Sequence, residues 1–305
     1  MSKRNWFFAT FVIFTLLLGS CVPAATQAPP ATQPPPAATE APVVTEVPVA
    51  TEAPAATEAP VVTEAPAATE APAGAMPDLG GKSITVAVEN AYPPFNRIDP
   101  NTNKGVGWDY DSVTEICKRL NCVPEFKEAA WDGIFPAMQA GEFDVLADGV
   151  TVTDERKKIV DFSVPYVTIG QVLLVRADET LTVDQIKADE KKLVGTQIGT
   201  TNEIVAKKNF PEARVKSFED FGGAVLALLG GDIDGVVIDN VSASGFMSQN
   251  EGKMKVDGVL TSDEQLAFVF PPKSELKTAF DAALEAMIAD GTLEALNLKW
   301  GLIFK

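Results

Sequence analysis

Prolines stand at residues 42, 48, 54, 60, 66 and 72, in a six-residue repeat that also carries Thr-Glu pairs beginning at 39, 45, 51, 57, 63 and 69. Proline lacks the N–H that helices and sheets use, so this spacing blocks both. Regular glutamates add like-charge repulsion, and a Pro, Ala, Thr, Val and Glu composition cannot bury a core. Residues 21–78 therefore read as an extended, solvated tether. If fully polyproline-like, at about 3.1 Å per residue, its reach would be on the order of 150 Å or more. Its threonines are candidate sites for O-linked sugars. The foldable part is confined to residues 79–305, long enough for one large domain or two smaller lobes.

The residues before the tether give it an address. Lys3 and Arg4 lead into an apolar run from Trp6 to Leu18, which has the length of a signal-peptide core and is short for a bilayer span. It ends in Leu18-Gly19-Ser20-Cys21, small residues before a cysteine, and so resembles a lipobox. On that reading residues 1–20 are a lipoprotein signal peptide and Cys21 is acylated. An ordinary secretory signal or an uncleaved anchor are the alternatives. All three export the chain, and the lipobox implies a lipid anchor on the cell membrane.

Composition excludes whole classes of chemistry. The chain has no histidine, which removes Ser-His-Asp and Cys-His nucleophile pairs and histidine-ligated metals. No cofactor or metal site is expected. Two of the 25 Lys and Arg and seven of the 42 Asp and Glu precede residue 79, which leaves a charge of −12 on the rest. So acidic a domain argues against nucleic acid as a partner and does not repel a cationic or zwitterionic ligand. Cys117 and Cys122 are compatible with a disulfide in an oxidising compartment. Five-residue spacing inside a regular helix would hold them too far apart, so two buried thiols are an equal reading.

Within 79–305, strands alternate with helices. Ser83 to Val88 is a buried strand; Val113, Ile116, Cys117 and Leu120 recur at helical spacing over 109–121; a strand at 123–126 and a helix over 131–140 follow. Gln171 to Val175 is a strand placed at the crossing into a second lobe. Beyond it come a strand at 193–195, a helix opening at Thr200 or Thr201, an amphipathic stretch over 218–229 and a buried strand at 236–238. Leu266 to Phe270 returns the chain to the first lobe, followed by a helix over 274–290 that Gly291 closes and a last helix to about Trp300. The alternation predicts parallel, helix-covered sheets.

One stretch concentrates anion donors. Val145-Leu146-Ala147 reads as a short buried strand, and Thr153-Asp154-Glu155 as a helix start with Thr153 as N-cap. Between them, Gly149 with Thr151, Thr153 and Arg156 offers N–H, O–H and guanidinium donors to a small anion such as a carboxylate. The plainer alternative is a capped helix with Arg156 paired to Glu155 or Asp161.

The whole run from Trp131 to Tyr166 resembles the signature of the family 3 extracellular solute-binding proteins, amino-acid receptors of ABC importers. Three further segments agree in order and spacing: Tyr92-Pro93-Pro94-Phe95, residues 194–201 (VGTQIGTT) and residues 231–239 (GDIDGVVID). The resemblance covers roughly the last three quarters of the chain. It implies an α/β, two-lobe periplasmic-binding-protein-like fold of type II, with two hinge strands and a ligand cleft between lobes, lobe 1 being 79–170 with 266–305 and lobe 2 being 171–265. It also implies a monomer that captures a free amino acid and delivers it to an ABC transporter permease.

Carried onto matching positions, the resemblance assigns the ligand carboxylate to Arg156, Thr151, Thr200 and Thr201, and the ammonium to Asp239 with the Gly149 carbonyl. Asp239 can equally cap the helix after it. Tyr92 and Trp131 would sandwich the ligand side chain, with Glu89 and Asp148 as acids beside them. Two acids and two rings suit arginine or lysine; if Asp148 instead caps the turn, glutamine fits as well. Phe95 reads as core. The rival functions are a dehydratase of prephenate-like acids on the same fold, using Glu89 or Asp148 as the acid, and a sensor that presents its closed form to a separate signalling protein.

Overall fold

The computed structural model describes residues 76–303. The signal peptide, Cys21 and the tether up to residue 75 lie outside the described residues.

Two five-stranded sheets organise the described chain. The first runs in the order Cys122–Glu128, Lys82–Val88, Val145–Leu146, Val269–Phe270, Asp161–Phe162. The second half of its strand Lys82–Val88 is too apolar to leave either face wet, and Ile84, Val86, Ala87 and Val88 are all buried. Helix Trp108–Leu120 packs its Val113, Ile116, Cys117 and Leu120 on one side, together with Leu276, Phe280, Leu284 and Met287 of helix Glu275–Ala289. Ile134 and Met138 of helix Ile134–Ala140 belong to a second cluster with Ala87 and Leu146, on the other side.

The second sheet runs Val215–Phe218, Val194–Gln197, Gly235–Asp239, Gln171–Arg176, Met254–Val259. Along Gln171–Arg176, Leu173 and Val175 enter one core cluster and Val172 and Leu174 another, as the two-residue strand period requires.

Neither sheet is purely parallel. In the first, Val269–Phe270 runs antiparallel to both its neighbours, and in the second Gln171–Arg176 runs antiparallel to Gly235–Asp239 and to Met254–Val259. These are the strands that enter or leave a sheet from the other lobe, so no crossover helix sets their direction. The crossing itself is also displaced from where the sequence put it. Gln171–Arg176 lies inside the second sheet, and the link is the strand before it, Val167–Ile169, paired antiparallel with Glu264–Leu266. Those two strands form the double hinge between lobes.

Cys117 and Cys122 form a disulfide. The helix stops at Leu120, Asn121 takes a left-handed conformation (φ 52°), and the reversal brings the two Cα atoms to 4.6 Å. The spacing objection held only for a continuous helix.

Beneath the first sheet, Trp108 anchors the core. Its ring lies 4.2 Å from that of Tyr166 and 5.8 Å from Phe268, and its Nε1 donates to Asn297 Oδ1 at 2.7 Å, tying the final helix Thr292–Lys299 to the first. Phe268 is fully buried between the hinge strand and the first sheet and also meets Phe280 edge-on at 5.9 Å. Phe268→Ala is expected to destabilise the fold by about 3–5 kcal/mol, read as a lowered urea midpoint with an unchanged slope.

Candidate ligand-binding site

The strand Val145–Leu146 delivers Asp148 and Gly149 to the mouth of the first lobe. Gly149 sits at φ 55°, and a Cβ there would come within 2.7 Å of the Tyr92 ring and 3.1 Å of the Phe95 ring, so only glycine fits this turn. Phe95 is fully buried.

Thr153 does not start a helix. The chain makes a single 3-10 turn, Arg156–Lys158, because it must reach the sheet strand Asp161–Phe162 a few residues later. Thr153 still acts locally, its Oγ1 accepting the Arg156 N–H at 3.2 Å. Arg156 is held from three sides: Nη1 donates to the Thr151 carbonyl at 2.9 Å, and the guanidinium carbon lies 4.6 Å from the Phe135 ring centroid and 5.3 Å from that of Trp131. The surface-pair reading fails, since Glu155 pairs with Lys158 and Asp161 accepts the Lys273 N–H. Although the residue as a whole is half-buried, enclosure of its charged end pushes the Arg156 pKa down to about 10.

The second lobe supplies the facing wall. Thr200 caps helix Thr201–Asn209, accepting the Glu203 N–H at 3.1 Å, and Thr201 Oγ1 lies 3.3 Å from Thr151 Oγ1 across the cleft. Asp239 occupies the N-cap position of helix Asn240–Gln249 yet makes no capping bond. Its carboxylate turns inward instead, accepting from Asn202 Nδ2 at 2.8 Å and from the Tyr92 hydroxyl. Burial raises its pKa to about 6.

At the remaining end, Glu89 and Asp148 come together. Gln197 Nε2 donates to Glu89 Oε1 at 2.6 Å, and Asn96 Nδ2 donates to Asp148 Oδ1 at 2.6 Å, so Asp148 faces the cavity rather than capping its turn. Burial, and then the Asp148 charge, raise Glu89 to about 9; burial raises Asp148 to about 7.

Most of these groups line one cavity, whose open space, its mouth included, is about 290 Å³. Each of the ten residues that the resemblance assigned to the ligand's carboxylate, ammonium and side chain lines it. Tyr92, however, does not present a ring face. It stacks against Phe95 at 5.4 Å and Phe221 at 5.3 Å, so protein rings occupy its faces and it contributes its edge and hydroxyl. Trp131 and Phe221 are the rings left to flank a side chain.

Gln197, Asn202 and Phe221 also line the cavity, and the sequence assigned none of them. Gln197 lies within the mid-chain motif, where a polar residue closing a buried strand was a usable signal. Asn202, in a first helical turn, reads as solvent-facing until the cleft covers it. Among the described residues, no group of three His, Cys, Asp or Glu is placed to hold a metal ion.

The lobes are closed. Besides Tyr92 to Asp239 and Gln197 to Glu89, Ser242 Oγ donates to the Pro93 carbonyl at 2.9 Å, and Gly245 lies so near Pro93 that a Cβ would approach its carbonyl oxygen to 2.6 Å.

The sequence profile of the bacterial extracellular solute-binding proteins, family 3, matches residues 84–303. The chain belongs to that family. ABC transporter arginine-binding protein 1 of Escherichia coli (strain K12) is 28% identical over 225 residues, covering 72% of this chain and 90% of that one. A solved ancestral arginine-binding protein, seen with arginine and with glutamine, is 38% identical with a TM-score of 0.66 over 72% of this chain and 97% of that one. A solved ancestral amino acid-binding protein, a precursor of cyclohexadienyl dehydratase, is 33% identical with a TM-score of 0.66 over 72% and 96%. In this family 3 protein, then, the cavity between the lobes is where a solute would lie.

Three carboxyls of the site hold protons at pH values where the unfolded chain has released them. Stability from raised acids is full below their unfolded values near 4 and is lost as pH climbs through about 6, 7 and 9. The unliganded protein is therefore expected to melt at a lower temperature at pH 9 than at pH 6. Glu89→Gln should flatten the upper part of that decline; an identical slope in the variant would show that Glu89 does not carry it.

Proposed function

We propose that this protein is an extracytoplasmic receptor that captures an amino acid, closes on it and delivers it to the permease of an ABC importer. The observation that carries this is the pairing of Arg156 and Asp239 on opposite walls of one closed cavity, neither in a salt bridge among the described residues. Enclosing a lone charge is unfavourable, and an amino-acid zwitterion brings the complement of both. The Arg156 fork takes the carboxylate, helped by Thr151 and by the N–H groups where Thr200 opens its helix. Asp239 and the Gly149 carbonyl take the ammonium.

The side chain then points to Glu89 and Asp148 between Trp131 and Phe221, an end suited to a cationic or amide group. The arginine-binding relative and the ancestral protein seen with arginine and glutamine support arginine or glutamine, and the acids at this end suit lysine as well. Export by the signal sequence, acylation at Cys21 and the repeat tether would hold a monomeric receptor at the membrane surface.

The dehydratase reading draws support from Glu89, a carboxyl raised to about 9 in the cavity, and from the dehydratase-precursor neighbour. Against it, Asp239 is placed for an ammonium, which prephenate-like acids lack. No nucleophile–base pair lines the cavity.

Melting temperature against the twenty amino acids tests the receptor reading. A ligand at a hundredfold excess over its dissociation constant should stabilise the fold by about 2.7 kcal/mol. Asp239→Ala should abolish the shift given by the best ligand, and Arg156→Ala should do the same; an undiminished shift in either variant would remove that residue from the site. No shift with any amino acid, together with turnover of a prephenate-like acid, would favour the enzyme.

A further inference from the structure

The side-chain end of the cavity is crowded with carboxyls that no cation matches. Asp148 lines it and Asp109 lies behind Asn96, at 4% and 0% exposure, and Glu89 is half-buried beside them. Arg156 is the one cationic side chain lining the cavity, and the acids that act on it are Asp239 and Glu264 rather than this cluster.

What faces Glu89 and Asp148 is mostly neutral or acidic. Glu89 receives the Gln197 amide from the second lobe and the Trp131 backbone N–H, and feels Asp148 and, from the helix cap of the second lobe, Asp220. Asp148 receives the amide of Asn96 and the Glu89 backbone N–H. That same Asn96 nitrogen serves Asp109 Oδ2 at 2.8 Å, so one amide is divided between two buried carboxyls, and Asp109 Oδ1 has no partner among the described residues. The phenols of Tyr92 and Tyr166 stand nearby and stay protonated, their pKa values pushed up by burial first. With hydrogen-bond donors but no positive charge, this end cannot hold all its carboxyls ionised in a closed cavity. Burial accordingly raises Glu89 and Asp148 far above ordinary carboxyls.

We propose that the side-chain end of this cavity is a proton-for-cation exchange site: closed empty or on a neutral side chain, it keeps a proton on Glu89 and Asp148, and a cationic side chain takes that proton's place. The inference rests on the amino-acid reading above and deepens it. Binding an amino acid with a guanidinium or ammonium tail releases one proton to solvent that an amide tail leaves in place. Selectivity for cationic over amide side chains therefore rises with pH and weakens in acidic surroundings.

The test is calorimetry on the whole protein with arginine and with glutamine, each in two buffers of different protonation heat at pH 7. Protons released from Asp239 or from the ligand's own amine are common to both ligands and cancel in the comparison. Arginine should release about one proton more than glutamine, and the ratio of arginine to glutamine affinity should rise roughly tenfold per pH unit between pH 6 and 8. Glu89→Gln should lower that ratio and remove most of its pH dependence. Equal proton counts with both ligands bound would overturn the exchange while leaving the receptor intact, and an unchanged ratio in Glu89→Gln would overturn the assignment to Glu89. No binding of either ligand, with other amino acids also failing in the melting assay, would take down the receptor reading and this inference together.

Discussion

A guanidinium enclosed without a carboxylate is the arrangement on which the cleft depends. Arg156 is kept in place by one backbone carbonyl and two aromatic rings, contacts that fix its direction without neutralising it. Much of the local structure serves that end. Gly149 lets the chain turn against Tyr92 and Phe95, the single 3-10 turn aims the side chain inward, and Lys158 and Lys273 occupy the acids that would otherwise draw Arg156 to the surface. Asp239 is its counterpart in the other lobe, turned away from its own helix to face the cavity. An arginine satisfied by Glu155 or Asp161 would bind nothing.

Closure completes this electrostatic frame. The bonds from Tyr92 to Asp239 and from Gln197 to Glu89 each join a group of one lobe to a carboxyl of the other, so these carboxyls are fully placed only when the lobes meet. A ligand that binds both walls favours the closed state by its differential affinity for it. The hinge suits this: two strands, Val167–Ile169 and Glu264–Leu266, connect lobes that have separate sheets, so rotation need not break either sheet. The contacts of Ser242 and Gly245 with Pro93 lie away from the ligand's groups and act on closure alone.

Where the sequence misled, geometry over several residues was the cause. Thr153 has every mark of an N-cap, but the distance to the next sheet strand allowed one turn only. The Gln171–Arg176 run looked like a crossing because it follows the motif, yet a strand apolar on both faces belongs inside a sheet, and the less apolar Val167–Ile169 makes the link. Tyr92 was legible as a cleft residue. That its faces would be covered by Phe95 and Phe221 was not, because Phe221 comes from the other lobe.

The sequence alone determined the α/β organisation, since strand and helix periodicities are local and each apolar stripe needs a partner, while the two lobes came from the family resemblance of its motifs. It also determined the residue types at the site, because motifs place Asp239 and Glu89 at the ends of strands and Arg156 in the turn after Gly149. Only the tertiary structure decided which way those side chains face and what shares their surroundings. The partition of the Asn96 amide between Asp109 and Asp148, the alignment of Gln197 with Glu89 and the inward turn of Asp239 join residues between 13 and 147 positions apart. Charge states in such a cluster depend on burial and on neighbours brought in by the fold, and neither is a property of any single stretch of chain.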